Sequence, residues 1–387
     1  MTDTYAADLS TKVTTLSTEI DGHMAAVTQL TSQIQTYEAA IPPLMAEIDT
    51  HKAAVPALTD QITILNLRLA RTKLRVNVDK PGSDNTGCIK GIPMTNWNDP
   101  GTTGKVAVPP GEYWDMHFYG DCYPGDPTGE YVFRNPHFHG GKGHPSNNLG
   151  CLYTWNLTTG WVTVEDGTVK ADDPSYYRDG IVGHRLTVRR CNIYGTNDGI
   201  GINKVNTTQP NILEQNWIHD QIGFRQDPAH SDWTHNDPMQ LQCGNNQVRG
   251  NTLQAYVTAD PRSTGPVLYP VAGRPGVGYG GSAIMISEGG GTFDPNSLID
   301  GNWLEGGYAQ VNVNNNRGAG HTLKFKMGIN RYGRDVRENY APRTDKRWIA
   351  LAPNGGNIVI EGLLTKQTWN DGGGLLTEGR ATGIRWL

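Results

Sequence analysis

Hydrophobic residues recur at alternating intervals of three and four through the first part of the chain. With Val13 as position a of a heptad, this pattern continues without a slip from residue 9 to residue 69. So regular an apolar stripe predicts an α-helix that is buried against other helices in a coiled coil. The predicted core positions are Val13, Leu16, Ile20, His23, Val27, Leu30, Ile34, Tyr37, Ile41, Leu44, Ile48, His51, Val55, Leu58, Ile62, Leu65 and Leu69.

The heptads leave the number of helices open. β-branched residues at a with leucine at d favour two strands. The flanking positions are small or apolar, as Met24 at e and Ala26 at g illustrate, so the stripe is wide and suits three helices better. We therefore expect a homotrimer, with a dimer as the alternative.

Polar and helix-breaking residues interrupt this stripe. His23 and His51, both at d, are interpreted as residues that fix the register, with a metal ion on the symmetry axis as the alternative. Pro42, Pro43 and Pro56 occupy b and c positions. Because proline removes a helical hydrogen bond and clashes with the preceding turn, we expect breaks in the helix at these prolines.

Composition changes abruptly near residue 74. The preceding residues hold one of the 48 glycines and none of the ten tryptophans. We predict a stalk for attachment and trimerisation over residues 1–74. A β-rich transition with the first solenoid coils is expected over 75–170, and a solenoid body with its C-terminal cap over 171–387.

Short β-rich stretches, most of them ending in asparagine, fill the second segment. Asn192, Asn216, Asn251, Asn302 and Asn330 are separated by 24, 35, 51 and 28 residues. Such spacings fit solenoid coils of roughly 20–30 residues, some with long loops. Asparagine tolerates left-handed turns and can stack between coils. The pattern predicts a mainly β fold, a right-handed parallel β-helix; a β-sandwich, the alternative, would need hairpin turns every 8–12 residues.

Polar residues concentrate in the first of two predicted loops, 227–238. Asp227, Asp232, His235 and Asp237 could supply general acid and base groups or oxygen ligands for a hard cation. The alternative is a solvated loop whose carboxylates cap turns. The second loop, 258–281, is rich in proline and glycine and is expected to lack regular structure.

Three histidines close together suggest a metal site. In a strand, His137 and His139 would lie on one face, and His144 follows five residues later. A loop formed by the intervening glycines is the alternative. We expect no cofactor, with a bound divalent cation as the alternative.

Tryptophans are frequent in this segment. Trp217, Trp233 and Trp303 are candidates for platforms on which sugar rings stack. Burial in the core or in a trimer interface is the alternative for each.

Charge and composition narrow the function classes. A net charge of −5 argues against nucleic-acid binding. No apolar run reaches the roughly 18–20 residues of a membrane span, and the first residues lack the features of a signal peptide. The five scattered cysteines predict free thiols. We therefore expect a protein that is not exported and has no membrane span.

The stalk, the Gly/Asn-rich β-helix and the odd number of cysteines together resemble a phage tail fibre or tailspike. The loop His230–Gln240, followed by residues 244–251, resembles the pectate-lyase-like β-helix region of minor tail proteins. The relevant proteins belong to long-tailed phages that infect actinobacteria, mycobacteriophages especially. The likeness covers about residues 170–365, with the heptad stalk in addition. Pro238 departs from the pattern, which often has glycine there.

The resemblance implies a structural virion protein at the tail tip, assembled in the host cytoplasm. Its N-terminus would bind other tail-tip or baseplate proteins, and its β-helix would contact host cell-envelope glycans during adsorption. The alternative is a depolymerase, a polysaccharide lyase or glycoside hydrolase with carboxylates drawn from Asp198, Asp227, Asp232 and Asp237. A third hypothesis, a secreted adhesin, is disfavoured by the N-terminal sequence. We favour a non-catalytic role.

Overall fold

The structure is a computed structural model. It describes the chain except for residues 1, 77, 142–148, 206–208, 226–233, 261, 263–268, 334, 338–348, 363–367, 370–383 and 387. Two compact units divide the chain, residues 1–67 and 68–387. No helix among the described residues combines the length and hydrophobicity that crossing a membrane requires.

One continuous helix, α1, extends over Thr2–Thr72 and contains all three prolines. The expected breaks at Pro42, Pro43 and Pro56 are therefore wrong. Proline's fixed φ is close to the helical value, so each ring costs only one hydrogen bond and a local clash. The helix is exposed around these positions, and water can hydrate the carbonyl groups that lose their donors.

The rest of the described chain is built from short strands. In chain order they are β1 (Thr95–Asn96), β2 (Lys105–Val108), β3 (Gly111–Trp114), β4 (Met116–Tyr119), β5 (Asp121–Pro124), β6 (Glu130–Arg134), β7 (His137–Gly140), β8 (Leu149–Tyr153), β9 (Trp161–Glu165), β10 (Thr168–Ala171), β11 (Arg178–Gly183), β12 (Leu186–Arg189), β13 (Asn192–Tyr194), β14 (Ile200–Ile202), β15 (Asn211–Glu214), β16 (Trp217–Ile218), β17 (Gln221–Gly223), β18 (Met239–Leu241), β19 (Asn246–Arg249), β20 (Thr252–Ala259), β21 (Val277–Tyr279), β22 (Ser282–Ser287), β23 (Leu298–Asp300), β24 (Trp303–Gly306), β25 (Ala309–Asn314), β26 (Thr322–Met327), β27 (Arg331–Tyr332), β28 (Ile349–Ala352), β29 (Asn357–Glu361), β30 (Thr368–Trp369) and β31 (Ile384–Trp386).

Three parallel sheets collect these strands in rotation, except β17 and β21, which pair with β20 beside the main path. Sheet A is β1-β4-β7-β10-β13-β16-β20-β24-β27-β30, sheet B is β2-β5-β8-β11-β14-β18-β22-β25-β28, and sheet C is β3-β6-β9-β12-β15-β19-β23-β26-β29-β31. The chain passes from A to B to C and then begins the next coil. This is the arrangement of a parallel β-helix, and the predicted mainly β solenoid is confirmed.

Each coil contributes inward side chains that stack on those of its neighbours. On sheet A this column contains Phe118, Phe138, Val169, Ile193, Ile218, Leu253, Leu304 and Tyr332, which are all at most 1% exposed. The first two phenyl rings stack with their centroids 5.1 Å apart. Because successive residues of a strand point to opposite sides, the alternate residues of sheet A form an outer face.

A short turn joins sheet C to sheet A in the coils that contain residues 215–216, 250–251 and 301–302. It begins with a residue at positive φ, for example Gln215 at 56° and Gly250 at 64°. The next residue is buried and stacks between coils: Asn216 Nδ2 donates to Asn251 Oδ1, and Asn251 Nδ2 donates to Asn302 Oδ1, both at 2.9 Å. Asn330 accepts from Asn302 in the same way.

Asn192 does not belong to this ladder, although its sequence context is similar. The stacking position in that coil is Cys191, whose N–H donates to Asn216 Oδ1 at 3.0 Å. Asn192 instead begins β13 and lies on the outer side of sheet A, where it is half-buried. A shift of one residue thus moves an asparagine from the buried ladder to the surface.

Part of the second predicted loop is regular. Residues Val277–Tyr279 form β21, which pairs antiparallel with β20. The expectation of an irregular segment over 258–281 is wrong for this part. Backbone groups beside the long β20 gain partners by pairing, whatever the glycine and proline content of the surrounding residues.

Candidate functional site

The outer face of sheet A carries two rows of aromatic and polar side chains. Neighbouring coils place these residues in register, so each row runs from coil to coil at the spacing of adjacent strands, roughly 4.8 Å. The first row reads His117, His137, Thr168, Asn192, Trp217. The second row reads Tyr119, His139, Lys170, Tyr194.

Three imidazole rings meet at the N-terminal end of these rows. His117, His137 and His139 are half-buried, and one nitrogen from each lies within 4.8 Å of the other two. His117 Nδ1 is 3.0 Å from His139 Nε2. The rings of His137 and His139 stack with centroids 3.8 Å apart, and Tyr119 stacks on His139 at 4.4 Å. The arrangement is a compact cluster of nitrogen donors.

Hydrogen bonding and burial set the protonation of this cluster. His139 Nδ1 lies 3.0 Å from Asp172 Oδ2, so it donates to the carboxylate and leaves Nε2 as an acceptor. Burial lowers the pKa of His137 to about 3, aided by the neighbouring His139, His117 and Lys170. Burial also lowers the pKa of His117. The pKa shifts favour neutral imidazoles at these two positions near pH 7, the form that binds metals.

Sequence reasoning identified only part of this cluster. It placed His137 and His139 on one face, which the structure bears out, but it missed His117; His144 lies outside the described residues. A signal was present, because His-Phe-Tyr-Gly at 117–120 repeats as His-Phe-His-Gly at 137–140. A repeat of 20 residues in a solenoid places equivalent side chains side by side.

Aromatic rings continue farther along the same face. Trp217 is half-buried and stacks on His219 with centroids 3.6 Å apart, and His219 stacks on Tyr194 at 5.3 Å. Trp217 Nε1 donates to Gln254 Oε1 at 3.1 Å. Trp217 and Tyr194 are partly exposed, whereas His219, which stacks on both, is only 7% exposed, so the platform offers parts of two rings to a ligand.

The two other tryptophan candidates have different surroundings. Trp303 is only 7% exposed, and the guanidinium of Arg331 lies 4.3 Å from its ring centroid. One face of this ring is therefore covered. Trp233 lies outside the described residues.

The carboxylate candidates are not assembled into an exposed pair among the described residues. Asp237 is 4% exposed. Its N–H donates to Asp198 Oδ1 at 2.8 Å, and its Oδ1 accepts from Ser282 N–H at 2.5 Å. Asp198 N–H donates to Asp179 Oδ1 at 3.2 Å. Three carboxylates thus stack where successive coils enter sheet B, Asp179 within β11 and Asp198 and Asp237 in the turns before β14 and β18, and they accept from backbone donors.

Burial has a strong electrostatic effect on this stack. It raises the pKa of Asp237 to about 7 and that of Asp179 to about 6. His235, two residues before Asp237, is exposed. Asp227 and Asp232, the remaining catalytic candidates, lie outside the described residues. Asp237 therefore accepts from backbone donors of a turn, in line with the turn-capping alternative considered from the sequence, but it is buried rather than solvated.

Sheet C presents charges on its outer face instead of rings. Arg134, Glu165, Arg189, Glu214 and Arg249 occupy one row, in register from coil to coil. Arg134 and Arg249 form ion pairs with Glu165 and Glu214 respectively. Arg189 lies between both glutamates, 3.5 Å from Glu165 and 3.1 Å from Glu214. This face satisfies its own charges.

Comparison with protein families, with curated proteins and with solved structures gave no match. Two surfaces stand out: the apolar stripe of α1 and the ring-bearing outer face of sheet A.

Proposed function

We propose that this protein is the subunit of a homotrimeric phage tail fibre, a minor tail protein that contacts host cell-envelope glycans. One observation carries the proposal. Along α1, the large apolar residues at heptad positions a and d are 44–69% exposed in the single chain. An apolar stripe along a helix of 71 residues requires a partner that follows its whole length.

Further copies of the same chain are the partner that fits this stripe. Its heptads continue without a slip, and identical helices in register match one another at every a and d position. Small residues such as Ala26 and Ala54 at g widen the stripe, which suits three helices. The three prolines lie at b and c, away from this seam, so their lost hydrogen bonds face water rather than the partner helices.

A trimeric coiled coil joined to a β-helix is typical of phage attachment fibres, which supports the resemblance noted from the sequence. We propose a right-handed solenoid, an N-terminus that binds tail-tip or baseplate proteins, and assembly in the host cytoplasm before incorporation into the virion. Glycan contact belongs to the outer face of sheet A, where Tyr194, Trp217 and His219 form a platform. Three copies would supply avidity from weak individual contacts.

The oligomeric state tests the core of the proposal. Light scattering of the full chain should give a mass close to three times 42.3 kDa. Replacing Ile34, at position a, with aspartate buries three charges in the seam, and the trimer should dissociate on dilution. Ser32→Asp is the matched control, because Ser32 occupies the outward position f and should leave the mass unchanged. A monomeric wild type would refute the fibre.

Glycan binding is tested by sedimentation of the full chain with host cell-wall fragments. Trp217→Ala should weaken binding about fivefold, since an aromatic contact contributes roughly 1 kcal/mol. Trp114→Ala is the matched control, because Trp114 is 40% exposed but belongs to sheet C. Equal losses in the two variants would remove sheet A as the binding face.

The same fragments separate the fibre from the depolymerase. A purely adhesive fibre should bind them without releasing soluble sugar. Release of new reducing or unsaturated ends by wild type, abolished in Asp232→Asn with binding retained, would instead establish an enzyme.

A further inference from the structure

The histidine cluster on sheet A has a chemistry that glycan contact does not explain. Nitrogens of His117, His137 and His139 converge from two adjacent coils. His137 Nε2 is inaccessible to solvent and has no hydrogen-bond partner among the described residues. A buried acceptor or donor without a partner costs roughly 1–3 kcal/mol, and a bound ion would remove this cost for His137 Nε2. We propose that these three histidines bind one transition-metal ion, with Zn²⁺ as the expected occupant.

The donor atoms are nearly placed for this ion. Zinc binds imidazole nitrogen at about 2.0–2.1 Å, so two nitrogens of a tetrahedral site lie roughly 3.4 Å apart. His117 Nδ1 and His139 Nε2 are 3.0 Å apart, and the third nitrogen is within 4.8 Å of both. Modest rotation of the His137 ring would complete three ligand positions, with the fourth left for water.

A second shell already orients one of the ligands. Asp172 accepts from His139 Nδ1 at 3.0 Å, which directs the lone pair of Nε2 toward His117. Carboxylate–histidine–metal triads use this arrangement to fix the tautomer and raise the basicity of the ligand. Without metal, His117 Nδ1–H donates to that lone pair. A metal ion would take the place of this hydrogen on His117 Nδ1. The neutral His117 ring would then carry its proton on Nε2.

The ligand set selects the class of metal. Three neutral imidazoles suit Zn²⁺, Co²⁺, Ni²⁺ and Cu²⁺, whereas Ca²⁺ and Mg²⁺ require oxygen ligands. The nearby charges nearly balance. Lys170, in register with His139, would repel the cation, and the carboxylate of Asp172 would attract it. Rigid strands hold two coils together at this point, so the ion would also link β4 to β7.

Titration of the full chain with Co²⁺ and Zn²⁺ tests the site. The protein is purified without a histidine tag and stripped with a chelator. We expect one equivalent of Co²⁺ per chain with visible absorption of a four-coordinate nitrogen site, displaced by Zn²⁺, and no competition from Ca²⁺. Zn²⁺ should also raise the melting temperature, because it binds the folded chain.

Variants locate the ion. His117→Ala and His137→Ala should abolish the absorption band, and Asp172→Asn should weaken binding roughly 10–100-fold. His219→Ala is the matched control: this histidine is near the same face and also pairs with a carboxylate, Asp220, yet lies outside the cluster. Circular dichroism of each variant checks folding. Equal binding by folded His137→Ala, loss of the band in folded His219→Ala alone, or no binding by folded wild type would overturn the proposal.

Discussion

Sheets A and C share one backbone architecture but differ in the chemistry of their outer faces. On sheet C, arginine and glutamate alternate from coil to coil, so each charge has an opposite charge beside it. On sheet A, the same stacking brings together imidazole, indole and phenol rings. His137 Nε2 is left without a partner among the described residues.

The difference teaches how a solenoid separates stability from function. In-register stacking places equivalent side chains of successive coils next to one another. Where these side chains alternate in charge, their attraction stabilises the coils. Equivalent rings give less mutual stabilisation and leave donor atoms available to a ligand. We therefore propose that sheet C holds the coils together and that sheet A is the binding face. Three predictions test this division. The first concerns the turn that joins a strand of sheet C to the next strand of sheet A.

The largest effect is expected for Asn251→Ala. Asn251 is fully buried; its Oδ1 accepts from the backbone and side chain of Asn216, and its Nδ2 donates to Leu213 O. Alanine would leave several buried polar groups without partners, so the free energy of unfolding should fall by about 3 kcal/mol. Denaturant unfolding measures the loss.

Asn192→Ala is the control for this change, because its sequence context is similar but it lies on the outer side of sheet A. Asn192 Oδ1 contacts only His219 Nε2 among the hydrogen bonds described, at 2.8 Å. Its loss should cost about 1 kcal/mol or less. Equal losses at the two positions would mean that the buried ladder is not what stabilises the turn.

The two asparagines also show how far sequence can go. Their spacing predicted the coils and the stacking, and the heptads predicted α1, because both depend on local periodicity. Which residue of Cys191-Asn192 enters the ladder depends on the turn geometry. That geometry is decided by packing in the folded chain, and the pattern of residue types does not encode it.

The candidate site was predictable to a similar degree. Strand alternation placed His137 and His139 together, because this relation is local. His117 and Asp172 join them only through pairing between coils, and loops of unequal length hide that register in most of the sequence. The charge ladder of sheet C was missed for the same reason. Asp237 was a catalytic candidate because the composition of its loop is polar. Composition does not reveal which residue of a loop is buried.

The second prediction concerns pH and has opposite signs at two buried groups. The pKa of His137 is lowered to about 3, so between pH 6.5 and 3 the unfolded chain binds a proton that the folded chain does not. Its contribution therefore destabilises the fold as the pH falls. The pKa of Asp237 is raised to about 7, so between pH 7 and 3.8 the folded chain keeps a proton that the unfolded chain has lost. Acidification therefore stabilises the fold through Asp237.

Two variants separate these contributions. Relative to wild type, His137→Asn should lose less stability between pH 7 and 5, and Asp237→Asn should lose more. Urea midpoints measured with a chelator present exclude any contribution from metal. The two effects oppose each other in the wild type, so its profile should lie between those of the two variants. Parallel profiles for all three proteins would contradict both assignments.

The smallest effect compares the faces directly, through a glutamate on each. Glu214 lies between Arg189 and Arg249 on sheet C, with its side chain 6% exposed. Glu214→Ala leaves two arginines without their shared partner, but both are at least a third exposed and can be hydrated. We therefore expect a loss of only about 1–2 kcal/mol.

Glu305, on sheet A, contacts Lys80 and Gln254 at 3.1 and 2.8 Å, and Glu305→Ala should cost about 0.5–1 kcal/mol. High salt should reduce the first loss more than the second, since screening acts on the charge ladder. If the glutamate of sheet A proved the more costly to remove, stability and binding would not be divided between the two faces.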